Sequence, residues 1–196
     1  MRLRRAVLAV AAVTALAAAN TSHAALDPQI TDPKGDSKVG AANDILKVTF
    51  DTVKVKKVIK EFIIKVELAA PPAVSPVATY NIGANIGGCG TLLVYSYWGA
   101  LDGGPSHRWT ARCGPDTGQG PRTTLHPKVT IKGNTLTYSV PFKSMPKEMQ
   151  RKGFAFTDLY AYTAPGDPVY GITPADFIAE PGANDWAQST KIFKMG

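Results

Sequence analysis

The sequence is poor in the residues on which most enzymatic reactions depend. It contains only two cysteines and three histidines in 196 residues, and charged residues make up 19% of it. It lacks the GxSxG elbow of acyl-transfer enzymes, the HExxH zinc motif and the phosphate-binding Walker loop. His107 and His126 lie beside turn-forming residues, and Ser106 next to His107 forms no triad because neighbouring strand residues face apart. These absences predict a protein without catalytic activity.

Long apolar runs are also scarce, and the one that exists lies at the N-terminus. Three arginines precede the apolar stretch 6–19, and small residues precede the peptide bond after Ala24. This order is typical of a secretory signal peptide, and the stretch is shorter than the ~20 residues that a membrane span needs. We expect residues 1–24 to be cleaved, and residues 25–196 to form a single secreted domain with no membrane span.

The excess of positive charge is smaller than the whole sequence indicates. Removal of residues 1–24 takes away three arginines and no acidic residue, so the net charge falls from +7 to +4. A small basic cluster remains, formed by Lys54, Lys56, Lys57 and Lys60. Nucleic-acid-binding surfaces concentrate more basic charge than this, and lysines on an exposed hairpin also discourage edge-to-edge strand pairing. We therefore expect no nucleic-acid partner.

The two cysteines predict a disulfide bond. An even number of cysteines in an exported chain favours pairing, which would join Cys89 to Cys113. A catalytic thiol and a metal-binding pair are the alternatives, although the two residues lack the CxxC spacing of common zinc sites.

Short alternating segments separated by turn residues dominate the rest of the chain. In "EFIIKVELA" (61–69) the apolar residues recur at every second position, and "ILKVTFDTVKV" (45–55) alternates in the same way. Further predicted strands span residues 77–86, 91–98, 107–113, 128–133, 135–141 and 154–164. "KGNT" (132–135) predicts a tight hairpin turn, and only residues 143–153 have a helical pattern. The sequence predicts an all-β fold: an antiparallel, jelly-roll-like β-sandwich of about eight strands with one short helix.

Three aspartates occur in the loop that precedes the first long strand. Asp32, Asp36 and Asp44 lie in "DPKGDSKVGAAND", where Pro33 and Gly35 bend the chain and Asn43 offers a further oxygen. Calcium prefers several hard oxygen ligands held by a loop that can wrap around the ion. The loop therefore predicts a calcium site, and a loop rich in Asx turns with no ion is the alternative.

Aromatic side chains are concentrated in a few of the predicted strands. The flat face of a sugar ring stacks on such side chains, so Tyr95, Tyr97, Trp98 and Trp109 are candidate ligand-binding residues. Three other residues with large rings that could serve the same purpose are Tyr160, Tyr162 and Trp186. Packing in the core of the sandwich is the alternative for each of them.

Several short motifs together resemble a group of exported bacterial β-sandwich modules. These are "DPKGD", "NDILKVTFD", "FIIKVELAAPP", "TYNIG", "LTYSVPFKSM" and "FTDLYAYT". The group includes family 9 carbohydrate-binding modules, DOMON-type domains and the C-terminal module of glucodextranase. The resemblance implies a structural calcium site with Asp32, Asp36 and Asp44 as ligands, and non-catalytic binding of a polysaccharide or cell-envelope glycan. A structural or protein-interaction module of the cell surface is the alternative, and a hydrolase is a third.

Overall fold

The structure is a computed structural model that describes most of the chain after the expected signal peptide. The described residues are 27–38, 40–72, 78–86, 91–99, 104–112, 122–165 and 185–196. Cys89 and Cys113 lie outside these ranges, as does the expected cleavage after Ala24, so the disulfide and the processing remain predictions. The segments 91–99 and 104–112 are described by their backbone alone.

The described residues contain twelve strands, and every pair formed among them is antiparallel. The strands are β1 (Ile30–Thr31), β2 (Ile45–Val55), β3 (Val58–Leu68), β4 (Ala78–Asn85), β5 (Thr91–Gly99), β6 (Gly104–Arg112), β7 (Arg122–Leu125), β8 (Lys128–Lys132), β9 (Thr135–Pro141), β10 (Ala155–Pro165), β11 (Asp185–Ser189) and β12 (Phe193–Lys194). The first sheet has the order β1-β2-β3-β9-β8. The second has the order β11-β10-β4-β5-β6-β7, with β12 paired to β10. The predicted all-β sandwich is confirmed.

The two longest strands of the first sheet follow from the alternation in the sequence. On β3, Phe62, Ile64, Val66 and Leu68 are buried, whereas the residues between them are partly exposed. The connection to β2 is a two-residue turn in which Lys56 and Lys57 both have positive φ, at 50° and 68°. Such a turn matches the right-handed twist of the paired strands, and it needs the left-handed backbone conformation at both positions.

The predicted turn at residues 132–135 is also present, and it is tied to a neighbouring strand. Gly133 has a φ of 59°, a conformation that glycine adopts without steric cost. The side-chain amide of Asn134 donates a hydrogen bond to the carbonyl oxygen of Leu68 at 2.6 Å, and the Leu68 amide donates to the Asn134 carbonyl at 3.0 Å. These bonds fix the β8–β9 hairpin against the end of β3.

The helix predicted over residues 143–153 is replaced by a 3₁₀ helix at Phe142–Ser144 and a series of turns. Pro146 explains the difference, because proline has no amide hydrogen and biases the residue before it away from helical angles. Met145 accordingly has an extended ψ of 156°. None of the helices in the described residues is long and apolar enough to cross a membrane.

Four phenylalanines from both sheets meet at the centre of the core. Phe50 and Phe62 belong to the first sheet, while Phe156 and Phe193 belong to the strands of the second. Their ring centroids lie 5.1 to 6.3 Å apart, and the rings of Phe62 and Phe156 are nearly parallel at 6°. Contacts of this kind bury large apolar areas and lock the two sheets together.

Truncation of the central ring should therefore destabilise the protein severely. We expect Phe62→Ala to lower the free energy of unfolding by about 3–5 kcal/mol, since it removes the ring and leaves a cavity between the sheets. Val58, on the same strand, is 55% exposed. We expect Val58→Ala to change stability by less than about 0.5 kcal/mol. Urea unfolding of both variants would measure the difference, and equal stabilities would contradict this description of the core.

Candidate functional site

The loop with the three predicted aspartates runs from β1 to β2 and is held against the first sheet. It contains a 3₁₀ helix at Ala41–Asn43. The Ala69 amide, just after β3, donates to the Asp44 carbonyl at 2.9 Å, and the Ala70 amide donates to the Ala41 carbonyl at 3.0 Å. The backbone of this loop is thereby fixed where it approaches the second sheet.

Three carboxylates converge at this loop. Oxygen atoms of Asp32, Asp36 and Asp185 lie within 4.8 Å of one another, and we call these three residues the acidic cluster. Asp185 is the first residue of β11, and its Oδ2 accepts a hydrogen bond from the Ile45 amide at 2.5 Å. Since Ile45 begins β2, the cluster forms where the first sheet meets the edge of the second.

Asp44 lies beside the acidic cluster rather than in it. Its side chain is only 2% exposed, and its Oδ2 accepts a hydrogen bond from the Gly35 amide at 2.7 Å. Within the described part of the chain, three buried oxygens here have no hydrogen-bond partner: Asp44 Oδ1, Asp32 Oδ2 and Asn43 Oδ1. Buried oxygens without partners cost free energy. A bound cation with a preference for hard oxygen ligands would satisfy them.

Burial and neighbouring negative charge raise the pKa of two carboxyls in the cluster, those of Asp32 and Asp185. Burial raises the pKa of Asp32 to about 7, and the negative charges of Asp185 and Asp36 add to the effect. Burial likewise raises the pKa of Asp185, although the hydrogen bond from the Ile45 amide opposes the change. Like charges held this close disfavour ionisation, and a cation between them would reverse that effect.

A second group of side chains lies on the face of the second sheet that points away from the core. The rings of Tyr160, Tyr162 and Trp186 are nearly parallel, with interplanar angles of 7° to 16° and centroids 5.5 to 6.3 Å apart. On β10 the two tyrosines alternate with Leu159 and Ala161, which belong to the core. Both tyrosines are buried, whereas Trp186 is partly exposed. We call these three rings the aromatic face.

A glycine and an asparagine of β4 complete this surface. Gly83 is paired with Tyr160, and a Cβ atom at Gly83 would overlap the Tyr160 ring, which therefore lies directly on the strand backbone. Asn81 is paired with Tyr162 and is 1% exposed. Neither its Nδ2 nor its Oδ1 is hydrogen-bonded to any residue that the structure describes. A donor and an acceptor thus lie side by side next to the rings.

The backbone register divides the four predicted ligand-binding residues into two pairs. Tyr95 of β5 is paired with Asn81 of β4, so Tyr95 and Tyr97 occupy positions in the rows of the aromatic face. Trp98 and Trp109 occupy the alternate positions, in the rows of the core-facing residues of β4. The positions of Tyr95 and Tyr97, and not those of Trp98 and Trp109, therefore continue the aromatic face onto β5.

Sequence reasoning did not identify Asp185 or Asn81. Asp185 lies 140 positions from the amide that it binds, and it follows the last strand that the sequence predicts, at 154–164. The segment 185–189 forms β11, although its apolar residues Trp186 and Ala187 are adjacent and give no alternation. Nothing local indicates that its first residue meets Asp32 and Asp36.

Comparisons with known proteins contribute no family. No protein-family model matches the chain, and neither a search of curated proteins nor one of solved structures found a match.

The raised pKa of Asp32 predicts a pH dependence in the presence of a chelator. Ionisation of this carboxyl costs more in the folded state than in the unfolded state, whose pKa is near the ordinary 3.8. Stability should therefore fall as the pH rises from 3.8 to about 7, and no further loss from this group is expected above that range. Urea unfolding across this range would measure the slope.

Asp32→Asn should flatten that slope because the variant has no carboxyl to ionise at this position. Asp27 is an exposed acid outside the cluster, so Asp27→Asn serves as the control and should keep the wild-type profile. Identical slopes in the wild type and Asp32→Asn would contradict the electrostatic description.

Proposed function

We propose that this protein is a secreted, non-catalytic module that binds a glycan through the aromatic face. A calcium ion at the acidic cluster stabilises its fold. The observation that carries the glycan part is the group of near-parallel rings next to the Asn81 amide, which has no hydrogen-bond partner among the residues that the structure describes. The observation that supports the ion is the convergence of three carboxylates beside buried oxygens that have no hydrogen-bond partner in the described part of the chain.

The chemistry of the aromatic face suits a sugar. A pyranose ring has an apolar face of C–H groups that stacks on a flat aromatic ring, and its hydroxyls both donate and accept hydrogen bonds. Trp186 offers a partly exposed ring, and the Asn81 amide, which carries a donor and an acceptor, lies buried beside the rings. Burial raises the pKa of Tyr160 and of Tyr162, whose rings pack beside Trp186.

The chemistry of the acidic cluster suits calcium in a structural role. Calcium accepts six to eight oxygen ligands in flexible geometry, which carboxylates from separate segments can supply. Asp32 and Asp36 come from one loop and Asp185 from a strand of the other sheet. Asp185 and Asp44 are buried, and each accepts a hydrogen bond from a backbone amide. Carboxylates fixed in this way are suited to hold an ion rather than to contact a substrate.

Calcium should raise the melting temperature, because an ion that binds only the folded state stabilises it. At a concentration 100 times the dissociation constant, the gain is about 2.7 kcal/mol. Differential scanning fluorimetry with calcium, with magnesium and with chelator would measure it. Asp36→Asn should need more calcium for the same shift, whereas Asp27→Asn should not. Equal melting temperatures with calcium and with chelator would disprove the ion site.

Loss of the exposed ring should weaken glycan binding. We expect Trp186→Ala to reduce retention on the polysaccharide that binds the wild type by about ten-fold or more, which corresponds to ~1.4 kcal/mol. Ile192→Ala removes an exposed apolar side chain just beyond β11 and is the matched control. Pull-down on insoluble polysaccharides and a glycan array would provide the measurement. A wild-type protein retained by no glycan would refute this function and favour a protein-interaction module.

A further inference from the structure

The acidic cluster and the aromatic face are joined by two neighbouring residues of one strand. Asp185 contributes a carboxylate to the cluster, and Trp186 contributes a ring to the aromatic face. Successive side chains of a strand point to opposite faces, so a single strand can serve both groups. Any displacement at the start of β11 must therefore move the carboxylate and the ring together.

β11 is held by its pairing with β10, by the burial of Ala187 in the core and by contacts with β1 and β2. It is a five-residue strand at the edge of the second sheet, and among the described strands β10 is its only partner. Its first residue is held from the other sheet by the hydrogen bond between the Ile45 amide and Asp185 Oδ2. Asp32 and Asp36 oppose that position when all three carboxylates are charged, because like charges repel. A cation in the cluster would convert the repulsion into attraction.

We propose that Asp185 is a positioning residue through which the cation fixes Trp186, so that ligand binding on the aromatic face depends on calcium. The inference rests on the proposed function, from which it takes both the ion and the ligand, and adds that the two are energetically linked. Linkage is reciprocal: if calcium raises the affinity for the ligand, the ligand raises the affinity for calcium by the same factor. Linked sites typically show a factor of about 5 to 150.

Fluorescence of Trp186 tests this inference without a ligand. The chain has three tryptophans, so Trp98→Phe combined with Trp109→Phe leaves Trp186 as the single tryptophan of the full chain. We expect added calcium to shift the emission of Trp186 and to reduce its quenching by acrylamide, since the ring becomes fixed against Tyr160 and Tyr162. The dissociation constant obtained from this change should agree with the one obtained from the dependence of the melting temperature on calcium concentration.

Two substitutions in this background distinguish positioning from simple loss of the ion. Asp36→Asn removes a carboxylate that lies on the loop, so it should move the midpoint to higher calcium and leave the full amplitude of the Trp186 signal. Asp185→Asn can still accept the hydrogen bond from the Ile45 amide, which favours folding. It should nevertheless abolish the Trp186 response even at calcium concentrations that still raise the melting temperature.

Ligand retention completes the test. For a polysaccharide that binds the wild type, chelator should weaken retention at least about five-fold, the lower end of typical coupling. If calcium raises the melting temperature but leaves Trp186 and retention unchanged, the coupling is overturned and the proposed function stands. If calcium changes neither the melting temperature nor Trp186, the ion site and the coupling are both overturned. If calcium changes Trp186 equally in the wild type and in Asp185→Asn, the role of Asp185 is overturned.

Discussion

The convergence of three carboxylates is the constraint on the junction between the two sheets. Asp32 and Asp36 come from the loop before β2, and Asp185 comes from the start of β11. The protein holds them together with backbone hydrogen bonds from Ile45 to Asp185 and from Gly35 to the adjoining Asp44. Close like charges and unpaired buried oxygens both cost free energy. The burial of the phenylalanine core supplies part of what offsets that cost, and a bound cation would offset much of the rest.

The second sheet serves two purposes because its side chains alternate. One face of β10 places Leu159 and Ala161 in the core, and the other presents Tyr160 and Tyr162 beside Trp186. Gly83 makes this arrangement possible, since any larger residue would displace the Tyr160 ring from the strand. The absence of a side chain at one position thus determines where the rings of the aromatic face can lie.

The sequence predicted what depends on local patterns and missed what depends on distant pairing. The bounds of β2 and β9 were predicted as observed, because alternation and turn residues act over a few positions. The prediction of a helix over 143–153 was wrong, because it followed the helical residue pattern and did not allow for the effect of Pro146 on the backbone. Asp32 and Asp36 were predicted from their loop, but Asp185 meets them only because β11 lies against that loop and the start of β2, a contact that the sequence does not display. The position of Asn81 beside the aromatic face could not be predicted for the same reason, because it depends on the pairing of β4 with β10.

The hydrogen bond between Ile45 and Asp185 also bears on how the protein reaches its native state. These residues are separated by 140 positions, so the contact closes a very long loop. Such contacts form late, because the chain entropy of closure is lost before the contact provides any stability. The β2–β3 and β8–β9 hairpins can form from local segments. The Asp185 carboxylate and Trp186, in contrast, take their positions only when β11 pairs with β10. A partly folded chain in which β11 has not yet paired with β10 would lack both groups, so the acidic cluster and the aromatic face are completed in the same step.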